Sequence, residues 1–181
     1  MSFFAKVIRN TTYLVASQVV TRLFYLALAM VIARKLGPAG LGKYGFAMAF
    51  VMVIVPISEL GLTNLAIRKI AGSKNSITDF VGNIIMLRIA AAATTAIIAA
   101  ICIRHFVQDA ELAWLLLAGL LISLCYSLNL IAGSIFRAYE KMQYQALTEL
   151  VGSAVVVFLA ILALFYNRGL LWVMVAHVIG A

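Results

Sequence analysis

The chain has 181 residues, 65% of them hydrophobic and only 11% charged, with a mean hydropathy of +1.10. A soluble domain is nearer half apolar and a quarter charged, so this composition excludes a water-soluble globular fold and points to an all-α, polytopic transmembrane helix bundle. The formal charge of +8 would raise nucleic acid as a partner in a soluble chain. Here the basic residues sit mostly at the ends of apolar runs, where they meet headgroups, and nucleic acid is dropped.

Met1 to Arg9 forms a short amphipathic lead, and the apolar run after it is too long for a signal peptide. The first span covers about 10–35 and stops at Leu36-Gly37-Pro38-Ala39-Gly40, where glycine and proline punctuate the helix. A second run covers about 41–71; Pro56 interrupts it and is a candidate bend. It ends in Arg68-Lys69 and the polar turn Gly72 to Ser76. The third span, about 78–103, opens near Asp79, and its alanine- and threonine-rich middle suits close helix packing in lipid.

The fourth span, about 112–138, carries Ser123, Ser127 and Ser134 along one side. Those hydroxyls either face a cavity or bond back to their own backbone. The fifth, about 144–166, has Glu149 one to two turns inside its start. Asn167-Arg168-Gly169 turns the chain into a sixth run, 170–181, too short to cross on its own. The expectation is therefore five complete spans and a partial sixth, a single helical lobe in a chain truncated at residue 181. With the N-terminus inside, Lys6, Arg9, Arg68, Lys69, Lys74, Arg137 and Lys141 are inner. Arg34, Lys35, Lys43, Arg104 and Arg168 are outer, a bias that favours a cytoplasmic N-terminus.

Three charges fall inside spans. Arg22 stands mid-way along the first, where a charge costs a few kcal/mol or more, so it should face a bundle interior or a hydrated cavity. Thr11, Val15, Gln18, Arg22 and Tyr25 recur at steps of three and four and share one face. Glu59 lies ~14 Å from the Arg68 end of the second span, and Arg88 is at a comparable depth in the third. The two can pair across consecutive helices, either fixing register or tuning a cationic cavity. A fixed positive charge at the midplane suits a phosphate or pyrophosphate, through the planar donor fork of arginine. Arg22, Gln18, Tyr25, Arg88 and Glu59 are the candidate substrate-binding residues.

No nucleotide loop, zinc signature or nucleophile–base pair appears, so neither an enzyme nor a bound cofactor is expected. Cys102 and Cys125 read as small buried hydrophobes, and His105 and His177 as incidental.

Val31 to Pro38, followed by Gly40-Leu41-Gly42-Lys43-Tyr44-Gly45, resembles the joint after the first helix of polysaccharide (O-antigen, Wzx-type) flippases. Ser58-Glu59-Leu60-Gly61-Leu62 with Ala66 to Ala71 resembles the end of their second helix. Phe136 to Tyr144 resembles the joint after their fourth. The resemblance runs along nearly the whole chain. It implies the multidrug/oligosaccharidyl-lipid/polysaccharide exporter superfamily, whose members have two lobes of about six helices around a central cavity. Such proteins move an undecaprenyl-pyrophosphate-linked oligosaccharide across the inner membrane by alternating access, for surface polysaccharide such as O-antigen and lipopolysaccharide. Thr21-Arg22 also resembles the Ser-Arg context in the first helix of the related lipid II flippases. On this reading the partners are the pyrophosphate headgroup of a lipid-linked oligosaccharide, membrane lipids and a missing C-terminal lobe. The alternatives are a cation-coupled drug exporter of the same superfamily, with free carboxylates facing its cavity, and a non-transporting scaffold or inactive fragment.

Overall fold

The computed structural model describes residues 3–59, 61, 77–138 and 142–181. Those residues form α1 (Phe3–Glu59), α2 (Ile77–Phe106), α3 (Ala110–Ala138), α4 (Met142–Phe165) and α5 (Leu170–Gly180), and no strand occurs among them. The Arg68-Lys69 end of the second expected span, the turn at 72–76 and Glu140-Lys141 lie outside the described residues, as does the side chain of Asp79.

Gly37 divides α1 into two arms, 3–36 and 38–59. Its angles, φ 71 and ψ −174, lie in a region open essentially to glycine. Pro38 starts the second arm where a missing N–H costs nothing. The expected five-residue turn is thus a single-residue break. The rings of Tyr25 and Tyr44 each lie 5.8 Å from that of His177, so the two are no more than about twice that apart. An unbroken helix would separate them by ~28 Å, so the arms fold back on one another. Each arm is then long enough to cross a hydrocarbon core of ~30 Å. The second arm keeps helical angles through Pro56 to Glu59; the break is at Gly37.

The other long helices, α2, α3 and α4, are also apolar and long enough to span, and α5 is a shorter apolar helix. α1 packs on α4 and α3, α2 on α3, and α5 in the angle between α4 and α3. Leu28 and Ile32 of the first arm belong to one hydrophobic core with Ala47, Val51 and Val55 of the second and with Leu115, Leu116, Ala160, Val173 and Met174. Gly152 and Gly180 let α4 and α5 approach closely: a Cβ at Gly152 would stand 2.6 Å from the Gly180 carbonyl oxygen. Large apolar side chains such as Leu23, Leu26, Met52, Ile97, Ile101 and Phe158 cover the outside. In water these would be a liability; in a bilayer they are the solvated surface.

One end of the bundle is tied electrostatically. Lys43 reaches Asp109 at 2.8 Å and Glu111 at 2.5 Å across the joint between α2 and α3. Asp109 also accepts from the backbone N–H of Glu111 and Leu112, capping α3. These bonds, that to Lys43 foremost, hold the Asp109 carboxyl below the usual carboxylate range.

Candidate functional site

The first arm of α1 has two unlike faces. Ser17, Leu28 and Ile32 are buried, Phe24 is half-buried, and Thr21 meets Ser153 of α4 at 3.3 Å between hydroxyl oxygens. Thr11, Val15, Gln18 and Arg22 are exposed, and Tyr25 is half-buried at the boundary between the faces. The polar stripe read from the spacing is therefore continuous, and the helices of this bundle leave it uncovered. Arg22 does not point into the interior of the bundle, because the face that α4 covers is the neighbouring one. No acidic side chain among the described residues pairs with it.

Arg88 has the opposite environment. Ile84, Arg88, Ala92, Ala99 and Ile103 form the buried stripe of α2, so register alone carries the guanidinium inward. Its side chain is 1% exposed; Nε donates to the Ser127 hydroxyl at 3.0 Å, and one terminal nitrogen lies 3.8 Å from the Glu59 carboxylate, itself 26% exposed. The structure thus brings Glu59 and Arg88 together, as their depths implied, and adds Ser127. Ser123 and Ser134 instead bond back to the carbonyls of Leu120 and Ile131.

Counted from Gly37, Arg22 lies ~22 Å along the first arm and Glu59 ~33 Å along the second, so the Glu59–Arg88 pair stands further from that end than Arg22 does. The five candidate residues form two groups: Gln18, Arg22 and Tyr25 on the open stripe, and Glu59 with Arg88 inside.

Two polar constellations escaped the sequence. Arg137 Nε donates to Gln145 Oε1 at 2.9 Å, and Gln145 Nε2 donates to Glu149 Oε1 at 2.8 Å, joining the end of α3 to the start of α4. The eight-residue interval between Arg137 and Gln145 spans a joint, so no helical periodicity signals it. The second is centred on His177, which is 4% exposed and not incidental. Its Nδ1 lies 2.9 Å from the Val173 carbonyl oxygen, its Nε2 lies 3.2 Å from the Tyr44 hydroxyl, and Tyr25 stacks on it at an interplanar angle of 18°. Cys102 also departs from expectation: it is exposed on the outer side of α2, while Cys125 is half-buried, and both are free thiols. Among the described residues no His/Cys/Asp/Glu group could hold a metal ion.

The model of a family described as polysaccharide biosynthesis protein matches residues 7–181. No curated protein matches the chain, and no solved structure does.

Proposed function

This chain belongs to the polysaccharide biosynthesis protein family, and from that premise we propose that it flips an undecaprenyl-pyrophosphate-linked oligosaccharide across the inner membrane by alternating access. The observation that carries the reading is the open stripe on the first arm of α1, with Arg22 at its centre and Gln18 and Tyr25 within a turn on either side. A guanidinium held against acyl chains at this depth costs at least ~2.5 kcal/mol, so the stripe belongs against a hydrated cavity. A second helical lobe facing the stripe would enclose that cavity, and rocking of one lobe on the other would expose it to alternate sides.

In this arrangement Arg22 presents its donor fork to two pyrophosphate oxygens, and low dielectric strengthens the contact. The Gln18 amide and the Tyr25 hydroxyl supply further hydrogen bonds along the same face. Charge complementarity selects the pyrophosphate and leaves the sugar to other contacts. Glu59, Arg88 and Ser127 are packed away from the stripe and act on it indirectly, by holding α1, α2 and α3 in register. The cation-coupled exporter fits less well: of the described carboxylates within the membrane, Glu59 has Arg88 beside it and Glu149 accepts from Gln145.

The test replaces Arg22 by alanine and by lysine in the chromosomal gene and measures surface polysaccharide at matched protein level. Arg22→Ala should abolish output and leave lipid-linked oligosaccharide in the inner leaflet. Arg22→Lys should recover only part of it, since a point charge lacks the fork. Normal polymer from Arg22→Ala removes the residue from the mechanism.

A further inference from the structure

The buried histidine of α5 touches both arms of α1, and its chemistry decides how it does so. A carbonyl oxygen only accepts, so the contact between Nδ1 and the Val173 oxygen places the ring proton on Nδ1. Nε2 is then the bare nitrogen and accepts from the Tyr44 hydroxyl. Two bonds from opposite sides of the ring fix its plane, one from its own helix and one from the second arm. Tyr25 of the first arm lies nearly parallel to that plane. Its ring is half-buried against the core, and the remainder lies at the border of the open stripe, one turn from Arg22.

We infer that His177 and Tyr44 are positioning residues for Tyr25, setting the plane of its ring and thereby aiming its hydroxyl along the stripe at the substrate bound by Arg22. This rests on the proposed function for the role of Tyr25, but the positioning itself is a property of the three rings. A free phenol on a helix surface samples several rotamers. One stacked against an imidazole locked at two points loses that freedom before substrate arrives, and this preorganisation makes its hydrogen bond count. The same arrangement ties the fold-back at Gly37 to the stripe. The second arm, through Tyr44, decides where a side chain on the first arm points.

The experiment uses the full-length protein with two readouts. In the first, 3-fluorotyrosine is placed at position 25 and, in a control sample, at the exposed Tyr166. Fluorine resonances are compared in the parent, in Tyr44→Phe, which removes only the hydroxyl donor, and in His177→Phe, which keeps a ring and removes both bonds. The position-25 resonance should shift and broaden in both variants while the position-166 resonance stays put. An unchanged position-25 resonance overturns the inference, and so does movement of both resonances together, which would report general loosening.

In the second readout, polysaccharide output at matched protein level is followed in a double-mutant cycle. Tyr25→Phe should lower output about fivefold, the worth of one hydrogen bond. Tyr44→Phe should do the same alone and add nothing on the Tyr25→Phe background. Equal losses on both backgrounds, or no loss from Tyr25→Phe, overturn the assignment. Failure of the wider reading is separately visible: it is normal output from Arg22→Ala, whatever the fluorine resonances do.

Discussion

Replacing Glu59 by glutamine leaves the shape of the α1–α2 contact intact and removes the negative charge 3.8 Å from a guanidinium that is 1% exposed. At that separation the gross attraction is ~4 kcal/mol for an effective dielectric of 20. Glu59 is a quarter exposed, so polar surroundings screen its charge and part of that attraction is offset. A net coupling of ~2 kcal/mol is the expectation. Neutral hydrogen bonds between membrane helices average only ~0.6 kcal/mol, so the two cases are separable.

Arg88→Gln loses more than the pair, because it also strips the Ser127 hydroxyl of its donor. A buried charged hydrogen bond of this kind contributes ~1.5–3 kcal/mol. The order of stability should be parent, then Glu59→Gln, then Arg88→Gln, with the double variant close to Arg88→Gln alone. The assay is reversible unfolding in mixed micelles with increasing denaturing detergent, read by helix content, on all four proteins. If the losses of the single variants simply add in the double, the two side chains do not interact and the pairing argument is refuted. If Glu59→Gln is neutral, the carboxylate contributes nothing to holding Arg88.

Gly37→Ala should cost about 1–3 kcal/mol, since alanine must adopt φ 71 with an extended ψ, a conformation open essentially to glycine; an unfolding midpoint equal to the parent's would contradict the break. Gly152→Ala should lower stability measurably, because its Cβ would collide with backbone at Gly180, whereas Gly82→Ala, with nothing within 4 Å, should be neutral or gain a few tenths of a kcal/mol. Equal effects at the two glycines would mean that α4 and α5 do not touch there. The Lys43–Asp109 tie predicts an acid limb in stability. The folded carboxyl is held below its unfolded value of about 3.9, so its contribution is complete above that pH and is lost as pH falls through the depressed value. Lys43→Met should flatten this limb, and an unchanged acid profile in that variant would show the tie to be idle.

Much of the architecture could be read directly, and the reasons are specific. The Gly37-Pro38 dipeptide marks the place where a helix of more than fifty residues must break, because proline blocks the preceding turn and glycine alone can take the angles required. Counting helical rise placed Glu59 and Arg88 at one depth, and depth is nearly enough to pair charges on neighbouring spans. The sequence carries no comparable signal for His177, for the complementary reason. Its partners are 133 residues away on α1 and four residues away on its own backbone, and neither relation leaves a periodic trace. Ser127 differs from Ser123 and Ser134 only in what stands opposite it.

Hydrophobic length and the punctuation between runs were enough to establish membrane helices and their order, since a bilayer admits few backbone solutions and each demands about twenty apolar residues. Which side of each helix meets protein, lipid or a cavity was decided only by tertiary packing. In water, burial separates apolar from polar residues and so writes itself into the pattern. Acyl chains are as apolar as leucine, so a packed face and a lipid face read alike. The outward stripe around Arg22 and the inward turn of Arg88 become distinct only when α4 covers one flank of α1 and α3 covers the stripe of α2.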